Sequence, residues 1–148
     1  MRYAALGFLV TAGVLLLFGG ANAADDGFSL HSLKGSYASS FSGKINVGGT
    51  LLPILGTGLF LADGDGHLSG HETYTVDTTV CDASISGTYT INPDGTGADS
   101  ATFTPPASET NCSGGSYTQS LVIGDQRKTV LLSNTNGDQL NEEWHRQR

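Results

Sequence analysis

The chain predicts an all-β protein, an eight-stranded antiparallel meander closed into a small barrel. Three observations lead there. Glycine supplies 21 of the 148 residues and proline only four, so turn-formers are plentiful and helix signals sparse. Beyond the N-terminal apolar run, short segments alternate apolar and polar residues with the period of a strand, and no window sustains a helical period. Nearly every segment ends at a turn signal, several of them dipeptides that tolerate positive φ, as tight hairpins require.

Taken in order, the first 23 residues read as an export signal. A short basic start, Met1-Arg2, precedes an apolar run from Ala4 to Phe18, and Ala21-Asn22-Ala23 places small residues where a signal peptidase reads them. The run is shorter than the about 20 residues that span a bilayer. The expected organisation is therefore a signal peptide, 1–23, and a single barrel domain, 24–148, secreted or periplasmic, with no membrane span after cleavage.

The strands are expected at 35–47, 54–62, 67–80, 83–92, 96–104, 116–123, 127–134 and 138–146. They are joined at Gly48-Gly49, Asp65-Gly66, Cys81-Asp82, Asp94-Gly95, a long loop 105–115, Gly124-Asp125 and Asn136-Gly137. Tight hairpins between successive strands make a meander, and closing it removes the sheet edges.

Charge excludes one class of partner. Cleavage leaves six Lys and Arg against fourteen Asp and Glu, a formal charge of −8, which repels phosphate backbones and argues against nucleic acid. Both cysteines, Cys81 and Cys112, fall in the exported part. In an oxidising compartment they are expected to form one disulfide closing a loop of about 30 residues, worth roughly 2 to 4 kcal/mol. A reactive or metal-binding thiol would need a CxxC or Cys/His cluster, and neither occurs.

The stretch DGDGHLSGHE, 63–72, raises a metal question. With Leu61 counted as position 1, its Asp63, Asp65, Gly66, Leu68 and Glu72 fall at positions 3, 5, 6, 8 and 12 of an EF-hand loop. Leu61 cannot be a ligand, however, and the flanks GLFL and ETYTV read as strands where an EF-hand needs helices. The pattern also returns 29 residues later. Phe60 aligns with Tyr89, Asp65-Gly66 with Asp94-Gly95, and Tyr74 with Phe103, but Ala101 replaces Glu72. What both copies share is a turn, so a hairpin is expected; a weak surface calcium site on Asp63 and Asp65 is the competing reading, and no metal ligand is assigned.

Parity sorts the faces, since strand residues two apart point the same way. The inward sets are Tyr37, Phe41, Ile45 and Val47; Leu68, Tyr74 and Val76; Ile85, Tyr89 and Ile91; Ala101 and Phe103; Tyr117, Leu121 and Ile123; Val130 and Leu132; Leu140 and Trp144. Parity adds Glu72 beside Tyr74, Lys128 beside Val130, and Glu142 and Arg146 beside Trp144. Charges on an apolar face need partners or water. They belong either to the wet ends of the barrel or to a cavity. On the cavity reading, Glu72, Tyr74, Tyr89, Phe103, Tyr117, Glu142, Trp144 and Arg146 line a site for a small apolar molecule with one polar end.

Catalytic signals are lacking. There is no GxSxG, HExxH, Walker-type loop or dinucleotide fingerprint, and no cofactor is implied. His31, His67, His71 and His145 are scattered; His67 and His71 would face one metal on a helix but lie about 13 Å apart on a strand. No catalytic residue is assigned, although a buried Glu72 or Glu142 would make a chemically reasonable base. Oligomeric state is left open.

The segments GLFLADGDGHLSGHETYTV and GTYTINPDGTGADSATF, with a terminal strand ending in EEWHRQ, resemble a group of small exported bacterial proteins of the allene oxide cyclase-like barrel, a relative of the lipocalin and calycin barrels. The resemblance covers nearly all of the chain after the signal peptide. It implies an eight-stranded barrel with a small-molecule cavity. The cyclase activity is not carried over, because its functional residues have no one-to-one counterparts here. The reading that results is a ligand-binding barrel, with an isomerase or cyclase, or a ligand-free module of the cell envelope, as the alternatives.

Overall fold

A computed structural model describes residues 27–148. The signal peptide expected at 1–23 lies outside the described residues. Eight strands follow a short 3-10 turn, Leu30–Leu33: β1 (Gly35–Val47), β2 (Thr50–Ala62), β3 (His67–Val76), β4 (Thr79–Ile91), β5 (Thr96–Thr104), β6 (Gly115–Gly124), β7 (Thr129–Asn134) and β8 (Gln139–Arg146). All pair antiparallel with their sequence neighbours, and β8 pairs with β1 to close the barrel. The predicted meander is the observed one.

Two shifts of four residues stand out, and β7 starts at Thr129 rather than at 127. The turn placed at Cys81-Asp82 lies instead at Asp77-Thr78, where Asp77 adopts φ 54. Aspartate tolerates that region better than most side chains do, so the hairpin needs no glycine and Cys81 becomes a strand residue. β2 starts four residues earlier than expected and runs through Pro53. The Pro53 carbonyl accepts from Asp77 N at 2.9 Å. In an antiparallel strand a residue's N–H and C=O point to the same side, so the missing N–H faces the β3–β4 turn and the β1 ladder is spared.

Inward parity holds along the strands, and it leaves Leu51, Leu55, Leu59 and Leu61 of β2 outside. The inner face of β2 is small where its neighbours are large. Gly56 pairs with Phe41, and a Cβ there would come within 2.3 Å of the Phe41 ring. Alternating small and large residues in this way fills a small barrel. Lys128 departs from its expected face: it is exposed just before β7, after a turn in which Asp125, Gln126 and Arg127 all take positive φ.

The two barrel ends differ. At one end the Leu30–Leu33 turn plugs the opening. Leu33 is wholly buried, among a core that includes Tyr37, Phe60, Leu68, Tyr89, Leu121, Val130 and Trp144. Phe60 stacks on Trp144 with ring centroids 5.0 Å apart. Tyr89 Oη donates to Leu30 O and accepts from Gly64 N, tying the plug to the β2–β3 turn. The opposite end, framed by the β1–β2, β3–β4 and β7–β8 turns and the 105–114 loop, has no such plug among the described residues.

Candidate ligand-binding cavity

The turn at 63–66 closes on itself. Asp63 Oδ1 accepts from Asp65 N at 2.7 Å and His67 N at 3.0 Å, and Oδ2 meets His67 Nδ1 at 2.8 Å. Those backbone donors hold the Asp63 carboxyl down at about 2. The second copy is built alike. Asn92 N bonds Thr96 O as Asp63 N bonds His67 O, Gly66 and Gly95 both have positive φ, and each of their carbonyls accepts from the next hairpin, at Tyr89 N and Ile123 N. Both Asp63 oxygens are thus engaged within the hairpin.

Chemistry concentrates deeper in the barrel. A cavity of about 750 Å³ opens at the unplugged end. Its walls are Phe41, Ile54, Tyr74, Val76, Phe103 and Leu140, with Tyr74 and Phe103 edge to face at 6.1 Å. Its floor is polar: Glu72, Tyr117, Gln119 and Glu142. Strand register explains the placement. Glu72 of β3 lies between Gly58 and Ala83, small residues that leave room around its carboxyl. Glu142 of β8 pairs with Phe41 and Leu132. Gln119 pairs with Asp99, which faces the same interior from β5.

Glu142 is the best-held of these groups. Trp144 Nε1 donates to its Oε1 at 2.6 Å and Gln119 Nε2 to its Oε2 at 3.1 Å. Burial raises its pKa, and the two hydrogen bonds pull in the other direction. Burial, with the charge of Glu142 added, pushes Glu72 up to about 7 and Asp99 up to about 8. Burial, followed by these carboxylates, also drives the Tyr117 phenol upward. Several buried polar atoms here have no hydrogen-bond partner: both Asp99 oxygens, Gln119 Oε1, Asn134 Oδ1 and Tyr117 Oη. Lysine, arginine and histidine are all missing from the cavity lining among the described residues.

Of the eight residues expected to bind a ligand, Glu72, Tyr74, Phe103, Tyr117 and Glu142 line the cavity. Tyr89, Trp144 and Arg146 do not. Tyr89 and Trp144 belong to the plugged core, Trp144 directly beneath the floor, and Arg146 is exposed at the plugged end, donating to Lys34 O. Parity assigns a face but not a depth, and these three share the face at the wrong end. Asp99, Gln119 and Asn134 were missed. Asp99 has the parity of Ala101 and Phe103, and Gln119 that of Tyr117 and Leu121, so the signal was present in two faces recorded by their apolar members alone.

The expected disulfide is formed. Cys81 and Cys112 are bonded, with Cα atoms 5.8 Å apart. Both border the cavity, so the bridge straps the 105–114 loop to β4 at the mouth. A second tether is Glu109, whose Oε2 accepts from Asp82 N at 2.9 Å. No helix among the described residues is long and apolar enough to cross a membrane.

Comparison with known proteins returned no matching family model, no matching curated protein and no matching solved structure.

Proposed function

We propose that this protein is an exported binding barrel whose cavity takes a small apolar or amphipathic molecule, apolar body against the walls and polar end on the floor. The observation that carries this reading is the cavity itself. Its volume, about 750 Å³, falls in the range of small-molecule sites, which pair apolar walls with a few convergent polar groups. A barrel core kept only for stability would be expected to fill this space and to pair its buried polar atoms. The allene oxide cyclase-like resemblance and the N-terminal export signal point in the same direction.

Native mass spectrometry of protein purified from its own source tests the reading. A retained small molecule, displaced by Nile red with a rise in dye fluorescence, is the expected result. Failure of both retention and dye binding would return the barrel to a ligand-free envelope module. One observation favours an isomerase or cyclase as second reading: Glu72, pushed up to about 7 at the cavity floor, can hold or release a proton near neutrality. Turnover of a bound ligand lost in Glu72→Gln would establish it.

A further inference from the structure

Most side chains at the cavity floor present acceptors, and the Tyr117 hydroxyl can also donate. Glu72 and Glu142 offer carboxyl groups, Asp99 lies behind them, and the buried amide oxygens of Gln119 and Asn134 have no partner. The Gln119 side chain is decisive. It lines the cavity but is 1% exposed, its nitrogen is committed to Glu142, and its buried oxygen has no partner. An anionic head group lowered onto this floor would meet up to three carboxyl groups and no cation. A neutral alcohol would satisfy one acceptor.

A primary ammonium carries three donors and a compensating charge, and a buried charge is tolerated only where it is paired and hydrogen-bonded. We propose that the cavity selects amphipathic amines, with the ammonium seated among Glu72, Gln119 and Glu142 and the apolar body against Phe41, Tyr74 and Phe103. The proposal rests on the binding-barrel reading and names the ligand class.

A proton count follows. The titratable groups facing this head position are Glu72 and Tyr74 from β3, Asp99 from β5, Tyr117 from β6, Glu142 from β8 and, deeper, Tyr37 from β1. Asp77 and Asp138 border the mouth. β2 and β7 contribute none, and apart from the disulfide-bonded Cys81 at the mouth β4 contributes only Tyr89, at the plugged end. Because burial keeps Glu72 and Asp99 protonated to about 7 and about 8, an ammonium entering at lower pH must expel a proton. Amine affinity therefore rises with pH, up to about tenfold per unit between about pH 5 and 7.

Octylamine, octanol and octanoate, matched in chain length, provide the test, titrated into the disulfide-bonded barrel and followed calorimetrically and by fluorescence of Trp144, the single tryptophan. The expected order is octylamine tightest by about tenfold or more, octanoate weakest, with only octylamine strengthening from pH 5 to 7. Glu72→Gln should narrow the amine-to-alcohol ratio by about tenfold, and Asp99→Asn serves as a second variant if the first fails to fold. Octanol binding with no amine preference, or octanoate binding as tightly as octylamine, overturns the amine assignment and leaves the cavity reading standing. Failure of all three probes and of Nile red overturns both.

Discussion

Asp99 shows at the residue scale what a site costs its protein. Its carboxyl is 2% exposed, neither oxygen has a partner, and burial pushes it up to about 8 from the 3.8 of a solvated aspartate. Glu72 moves the same way, from 4.5 to about 7. A raised carboxyl binds its proton more tightly in the folded than in the unfolded chain. Its stabilising contribution is therefore complete below about pH 4 and is lost as pH rises towards about 8. Asp63 has the opposite sign: its lowered carboxyl contributes above about 4 and fails as pH falls through about 2. Asp99→Asn should accordingly raise stability at pH 9, by on the order of a few kcal/mol, while changing little at pH 5. Denaturant unfolding at the two pH values measures this, and equal effects at both would show that Asp99 does not titrate in this range.

Between elements, the hairpins β2–β3 and β4–β5 are one design used twice. Their equivalent glycines, Gly66 and Gly95, have positive φ, and each carbonyl accepts a hydrogen bond from a backbone N–H of the following hairpin. Because Asp63 spends both oxygens inside its turn, calcium added to millimolar levels should leave the melting temperature unchanged; a clear rise would show that Asp63 can leave the turn for a metal. The 105–114 loop is held differently, by covalent bond. Replacing Cys81 and Cys112 together with alanine should cost roughly 2 to 4 kcal/mol. Hydrogen exchange should then accelerate across 105–114 well before the plugged end loosens, and uniform acceleration would mean that the bridge supports the whole barrel.

Across the whole molecule, the barrel divides its labour by end. The plugged end supplies the packing and the open end supplies the cavity, with Trp144 at the boundary donating to Glu142 from below. Leu33→Ala, in the plug, should cost about 2 to 5 kcal/mol as a buried cavity-forming change. Leu140→Ala, on the cavity wall, removes a side chain that already faces open space and should cost clearly less. Denaturant midpoints of the two variants compare the ends directly; equal losses would mean that the cavity wall is packed as firmly as the plug.

The sequence by itself determined the strand count, the antiparallel order, the disulfide and the inward face of most strands. Those are local properties, written in alternation, in turn dipeptides and in the spacing of two cysteines. The repeat at 29 residues likewise sufficed to recognise DGDGH as a turn. Only the tertiary structure decided depth. Tyr74 and Tyr89 have the same inward character along their strands, yet one walls the cavity and the other braces the plug, because strand tilt and register fix height within the barrel and no single strand encodes them. Strand pairing from β5 to β8 also brings Asp99, Gln119 and Glu142 together from three strands. Each is a polar residue on the inward face of its own strand, and the interior they share is enclosed only once β8 has paired with β1.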